Sequence, residues 1–242
     1  MTKKVVALVP VKLDSQRIPH KNKLSLGGRP LCWHMCNTLL EAGGIDEVCV
    51  YCSSPDVVSL LPEGTRWVKR PAWLDGAEIK GAQIYSEFIS KVDADVYVLA
   101  HTTSPFLRVE SVREGLHAIL EEDCDSAFTA QRIQTFAWFG DSPLNYNFDD
   151  VPRTQDIEPV WIETSGFYMF CRELFVNEGR RIGHRPRIIE ANHFEAIDID
   201  EPQDFSYAQL VAEYMWGEVL LVYESIFHSR NPKCTYNMAV VA

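Results

Sequence analysis

Val5-Val6-Ala7-Leu8-Val9-Pro10-Val11-Lys12-Leu13-Asp14-Ser15-Gln16-Arg17-Ile18-Pro19-His20-Lys21-Asn22-Lys23 joins an unbroken apolar run to a loop that carries four cations, Lys12, Arg17, Lys21 and Lys23. A short run of this kind reads as a strand of a parallel sheet covered on both faces. The cations then stand beyond its carboxyl end, where open α/β sheets place their ligands. Positive charge concentrated there fits an anion such as a triphosphate. Taken alone, the same run also reads as a solvated charged loop. It is not a Walker loop, and the chain holds no G-x-G-x-x-G, so kinase-like and dinucleotide readings lack their mechanics.

Outward from this stretch the strand pattern recurs at Glu47–Cys52, Val96–Ala100, Ser126–Ala130 and Phe167–Cys171. Helical spacing lies between, at Pro30–Ala42, Lys80–Lys91, Ser111–Glu122 and Asp204–Trp216. Strands alternating with helices predict right-handed crossovers and a single three-layer α/β/α, Rossmann-like domain with a mainly parallel sheet. Pro30 is expected at a first helical position, and Ser111 with Glu114 has capping-box spacing. The stretch 136–162 holds three prolines and six aromatics, and reads as a lid or an oligomer contact. The expected division is a domain over 1–216, with 136–190 including the arm and contact region. A C-terminal helix and tail follow over 217–242, and residues 229–242 are expected to be mobile.

Of the 242 residues 46% are hydrophobic and 24% charged, which fits a globular chain and excludes disorder and fibres. Lys and Arg number 23 against 34 Asp and Glu, a net charge of −11, so a broadly basic nucleic-acid surface is excluded. No apolar stretch approaches the roughly 20 residues of a membrane helix. The run Val5–Pro10 is too short for a signal-peptide core. Seven scattered cysteines point to a reducing, cytoplasmic setting with free, mostly buried thiols. Neither Cys32-x-x-x-Cys36 nor Cys49-x-x-Cys52 has the second half a zinc site needs, and there is no G-x-S-x-G nucleophile elbow.

Two more stretches carry chemistry. Leu99-Ala100-His101-Thr102-Thr103-Ser104-Pro105-Phe106-Leu107-Arg108 follows a strand with groups that hydrogen-bond a polyhydroxylated ligand. Its hydroxyls serve a strand-to-helix loop equally well by satisfying local backbone. In Ala196-Ile197-Asp198-Ile199-Asp200-Glu201-Pro202-Gln203-Asp204, alternation sets Asp198 and Asp200 on one side of an extended strand. Two carboxylates held together suit a hard divalent ion with phosphate and water ligands. Two edge carboxylates facing water fit the same pattern, and Asp204 competes as a helix N-cap.

Together these stretches resemble the acylneuraminate and 3-deoxy-manno-octulosonate cytidylyltransferases, which couple an acidic 2-keto sugar to CMP. Residues 9–22 match the family's opening [IV]-P-A-R-x-x-S-x-[RG]-[ILV]-P-x-K-[NP], and residues 101–108 echo Q-x-T-S-P-x-R. Residues 197–204 give I-D-I-D-x-x-x-D. Lys69-Arg70-Pro71-Ala72, Arg153-Thr154-Gln155-Asp156 and Thr164-Ser165-Gly166-Phe167-Tyr168 resemble further family segments, all in order over about residues 5–215.

The resemblance implies that Lys12, Ser15, Arg17 and Lys21 hold the triphosphate of CTP and that Asn22 and Arg70 reach the cytosine. It implies Mg²⁺ on Asp198 and Asp200, with Lys12, Arg17, Lys21 and Asp200 as the catalytic set. His101, Thr103, Ser104 and Gln155 would meet the sugar, and Arg153 would pair with its carboxylate. A homodimer is implied too, with a mid-chain arm reaching the partner's site. Three departures bear on the acceptor: Lys12 stands for an Arg, His101 for a Gln, and no Lys occurs between Lys91 and Lys233, where Trp138 and Phe139 fall instead. The expected acceptor is an acidic small molecule, a nonulosonate- or octulosonate-like 2-keto sugar that need not be ordinary sialic acid. A nucleotidyltransferase for another acid or nucleotide, or a silent nucleotide-binding homologue, is the alternative.

Overall fold

Every residue from Val5 to Val9 is at most 1% exposed, which a strand achieves only when both faces are covered. In the computed structural model, which describes residues 3–217, this strand lies inside a seven-stranded sheet. The expected C-terminal helix and tail lie outside the described residues, apart from Gly217.

The strands are β1 (Val5–Pro10), β2 (Glu47–Cys52), β3 (Thr65–Lys69), β4 (Val96–Ala100), β5 (Ser126–Ile133), β6 (Val160–Cys171) and β7 (Pro186–Glu190). Their order is β3-β2-β1-β4-β6-β5-β7. Only β6 runs antiparallel to its neighbours, and the other pairings in the sheet are parallel. The helices are α1 (Leu31–Ala42), α2 (Gly81–Lys91), α3 (Val109–Leu120), α4 (Arg172–Glu178) and α5 (Pro202–Trp216). The α/β fold read from the sequence is therefore the observed one. Strands β3 and β7 and helix α4 add to what periodicity had located.

Alternate residues of β1 feed different cores. Val5, Ala7 and Val9 pack with Met35 and Leu39 of α1 and Val112 and Leu116 of α3. Val6 and Leu8 pack with Tyr85 and Phe88 of α2 and Leu174 and Phe175 of α4. A third cluster joins Ile18 of the basic loop to Ile197, Ile199 and Ala208, Val211 and Ala212 of α5. Helix α5 thus presses together the two segments that carry the cations and the carboxylates. Among the described residues no helix is long and apolar enough to cross a membrane.

Helix starts differ from expectation in ways the hydrogen bonds explain. Pro30 is the N-cap of α1, one position before the helix. Helix α3 begins at Val109, and the Ser111 hydroxyl is drawn to buried Glu195 instead of capping. Asp204 is the third residue of α5, and its Oδ2 accepts from the backbone N–H groups of Asp200 (3.0 Å) and Glu201 (2.7 Å). That contact fixes the helix head against the acidic segment.

The stretch 136–162 is an excursion only as far as Pro159, because β6 already starts at Val160. It contains a small hairpin, Trp138–Phe139 with Ser142–Pro143. Its aromatics cluster, Phe136 with Tyr146 at 4.8 Å and Trp138 with Phe148 at 5.4 Å, yet Phe139 remains 82% exposed.

Candidate active site

Strand order turns at β1, with β2 and β3 on one side of it and β4 on the other. Such a reversal leaves a crevice beyond the carboxyl ends of the two strands. A cleft of about 610 Å³ occupies that place, lined by the loops after β1 and β4, by β6 and by the Asp198–Asp200 segment. Lys12, Arg17, Lys21 and Arg181 face it against Asp198 and Asp200, so cations outnumber carboxylates in a chain whose net charge is −11.

Each group is held from below. Lys21 is buried, and its Nζ donates to the Ile199 carbonyl (2.6 Å) and approaches Asp200 Oδ1 at 3.4 Å. Arg17 reaches the same oxygen at 2.8 Å and Glu201 at 3.5 Å. Lys12 Nζ donates to the Asp75 carbonyl at 2.5 Å. Buried Asn22 donates to the Lys12 carbonyl (2.8 Å) and accepts from the Thr102 hydroxyl (2.7 Å), tying the loop after β1 to the loop after β4. Ser15 and Thr103 line the cleft as well.

The acidic segment is pinned where Ile199 N–H donates to the Thr103 carbonyl at 2.8 Å. Ile197 and Ile199 sink into the α5 core while Asp198 and Asp200 face the cleft, which is the alternation expected of it, though the segment joins no sheet. Asp198 Oδ2 accepts from Ser165 (2.8 Å), whereas its Oδ1 is buried without a partner among the described residues. An orphaned oxygen on a carboxylate that lines the cleft beside a second carboxylate suits a divalent cation. The donor set therefore fits Mg²⁺.

Strand β6 slips register between Glu163 and Tyr168, and this bulge presents Ser165 to the cleft. A Cβ on Gly166 would stand 2.8 Å from Thr129 Oγ1, so only glycine lets the bulge lie this close to β5. The Ser165 carbonyl faces His101 Nδ1 at 3.0 Å. A carbonyl only accepts, so Nδ1 carries the proton and the neutral ring's Nε2 is left an acceptor. Burial holds the His101 pKa below its ordinary value, with the Ser165 carbonyl opposing that shift in part.

Four expected site residues do not line this cleft. Arg70 is buried behind it, paired with Asp75, its Cζ 6.0 Å from the Tyr51 ring centre. Because Asp75 also takes Lys12, Arg70 acts on the loop from beneath. Ser104 is buried with its hydroxyl unpartnered. Arg153 and Gln155 lie on the excursion, where Arg153 is 79% exposed and forks onto Asp156 at 2.7 and 3.2 Å.

A cytidylyltransferase family model matches residues 6–209, which takes in the basic loop, the His101 loop and both aspartates. The chain belongs to the cytidylyltransferase family. Among curated cytidylyltransferases it is 22% identical over 215 residues to an N-acylneuraminate enzyme of Streptococcus agalactiae, covering 84% of this chain and 52% of that one. The chain thus spans about half the length of that relative. It is 23% identical over 193 residues to the 3-deoxy-manno-octulosonate cytidylyltransferase of Escherichia coli, covering 72% of this chain and 75% of that one. A solved CMP:2-keto-3-deoxy-manno-octonic acid synthetase complexed with CTP shares the fold, with a TM-score of 0.67, 20% identity, and coverage of 88% of this chain and 100% of that one.

Sequence reasoning missed Arg181 and Tyr168 as cleft residues. Tyr168 sat in a stretch matched to the family, but nothing in its spacing showed which face it takes. Arg181 follows a short helix that periodicity did not reveal, and no motif marks it.

Proposed function

We propose that this chain transfers CMP from CTP to an acidic 2-keto sugar, with release of pyrophosphate. The observation that carries the reading is the cation excess at the switch-point cleft of a strongly acidic chain, beside a buried and unpartnered Asp198 oxygen. Lys12, Ser15, Arg17 and Lys21 bind the triphosphate, and Asn22 fixes the floor on which the nucleotide rests. Arg70 supports that floor through Asp75. His101 and Thr103 stand at the acceptor end, with Ser104 behind them.

The acceptor hydroxyl oxygen attacks the α-phosphorus in line. A new O–P bond forms, the bond to the β-phosphate oxygen breaks, and the hydroxyl proton is released. Catalysis of this kind is mostly positioning and electrostatics. Arg17 and Lys21 are already turned to the acid side of the cleft, where charge grows on leaving pyrophosphate. His101 Nε2 is set up to accept a hydrogen bond from the attacking hydroxyl. Asp198 and Asp200 would hold Mg²⁺, which supplies neutralisation of phosphate charge when bound.

The exposed Trp138, Phe139, Leu144 and Phe148 form an apolar patch of the kind that marks an interface. It supports a dimerisation arm on the domain, in a homodimer whose second copy would receive Arg153 and Gln155. Free thiols at all six described cysteines support a cytoplasmic setting.

The test is pyrophosphate release from CTP and Mg²⁺ with 3-deoxy-manno-octulosonic, sialic, pseudaminic and legionaminic acids, with UTP and ATP as competitors. Transfer to one acid from CTP alone is expected. Asp198→Asn, which disturbs no cation pair, is expected to lower turnover at least 100-fold with an unchanged circular dichroism spectrum. Near-normal turnover in that variant refutes the metal assignment.

A further inference from the structure

Three of the four cations lining the cleft come from the loop after β1, and the resemblance gives all three to the triphosphate. The fourth, Arg181, enters from the segment after α4. Its Cζ lies 3.7 Å from the Tyr168 ring centre, a close guanidinium-on-aromatic stack. That platform is rigid, because the Tyr168 hydroxyl donates to Glu163 Oε2 at 2.8 Å and its ring stacks on Phe128. The same Glu163 oxygen pairs with Arg181 at 3.7 Å, an ion pair longer than a hydrogen bond. The Tyr85 hydroxyl lies beside Arg181 and is neutral. So the face of the guanidinium is anchored, and among the described residues no carboxylate takes up its N–H fork within hydrogen-bond distance, Glu163 pairing with it only at 3.7 Å. His101, its neighbour on the cleft wall, brings no charge when neutral, and Arg153 lies on the excursion.

We propose that Arg181 recognises the acid group of the acceptor, receiving it as a fork from the chain's own β6 side. This rests on the reading of the cleft as a CTP-dependent transfer site, and it gives Arg181 the contact that the resemblance gives to Arg153. Stacking pre-orients the fork for a planar carboxylate, a geometry that a lysine ammonium does not reproduce. The acid-binding step is then complete within one chain and does not depend on a second copy's arm.

The experiment is equilibrium binding of 3-deoxy-manno-octulosonate, N-acetylneuraminate and pseudaminate, and of their methyl esters. The protein is held with Mg²⁺ and α,β-methylene-CTP, which fills the nucleotide end and cannot release pyrophosphate. The wild type is expected to prefer at least one acid over its ester by about 10- to 100-fold, the range for a hydrogen bond to a charged group. Arg181→Gln is expected to bring that ratio near one while the affinity for the nucleotide analogue stays within about twofold. Arg181→Lys is expected to fall between. A merely structural role would not move the acid-to-ester ratio. The inference is overturned if Arg181→Gln keeps the preference, if Arg153→Gln alone abolishes it, or if the nucleotide-loaded wild type binds no acid better than its ester. Failure to bind the analogue at all removes the transferase reading itself, a result distinct from those three.

Discussion

Glu195 holds the acidic segment to the head of α3, and replacing it should loosen both. Its side chain is fully buried. Oε1 accepts from Arg108 N–H (3.1 Å) and the Ser111 hydroxyl (2.5 Å), and Oε2 accepts from Arg108 Nε (2.9 Å) and Asn192 N–H (3.2 Å). Glu195→Ala leaves all four donors without this partner. The Arg108 side chain is 48% exposed, so water recovers it and its share is discounted. The buried Ser111 hydroxyl and the two backbone donors lose most, at up to about 1–3 kcal/mol each and not additively. The expected cost is about 3–4 kcal/mol, in the range for removing one partner of a buried pair. At about 2–4 °C per kcal/mol for a chain this size, the melting temperature should drop by about 6–16 °C. Glu195→Gln keeps one accepting oxygen but turns its NH₂ toward two donors, and should cost about 2 kcal/mol. Urea unfolding followed by circular dichroism measures both, and a shifted midpoint at unchanged m-value reads as a change in stability. A Glu195→Ala variant within about 1 kcal/mol of wild type would show that these contacts do not hold the segment.

Burial lowers the His101 pKa below that of a free imidazole, so the ring is expected to be neutral at pH 7. The unfolded ring takes up a proton near pH 6.5 while the folded one does so only at lower pH. Stability contributed by His101 is therefore intact above about pH 6.5 and lost as pH falls toward the folded pKa. His101→Gln should flatten that acid-side loss in chemical unfolding at pH 5–7, and an unaltered slope would count against it. Burial also pushes the Cys32 thiol up to about 12 and Cys49 up to about 11, and raises Cys36 and Cys52. None of these four should react with a thiol reagent at pH 7.5 until the protein unfolds. Labelling read by mass spectrometry checks this, and prompt native labelling of Cys32 would contradict its packing.

What the sequence made legible follows burial. Strands β1, β2 and β4 are enclosed on both faces, so each must be apolar throughout, and each stood out at nearly its observed limits. Strands β3 and β7 lie at the sheet's edges, and Thr65–Lys69 and Pro186–Glu190 keep polar or exposed residues that no strand pattern predicts. In β6 the buried half, Phe167–Cys171, was readable, while Val160–Ile162 is partly or fully exposed beyond the bulge and was read as excursion.

The site divides along the same line. Lys12, Arg17, Lys21, Asp198 and Asp200 were legible because each falls in a motif stretch directly after a strand or before a helix, and the core that packs Ile18 with Ile197, Ile199 and α5 then joins the two stretches. Arg181 depends on longer-range placement: the length of α4, the reversed direction of β6 and a bulge that turns Tyr168 toward the cleft must all be right before the side chain arrives. On the proposed reading the nucleotide end is therefore carried by contiguous motif stretches, whereas the acceptor end needs Arg181, which no motif marks. A swap confined to the motif loops should accordingly alter triphosphate affinity without changing which acid is taken. Exchange of the segment 178–185, which carries Arg181, should alter the choice of acid and leave CTP binding in place.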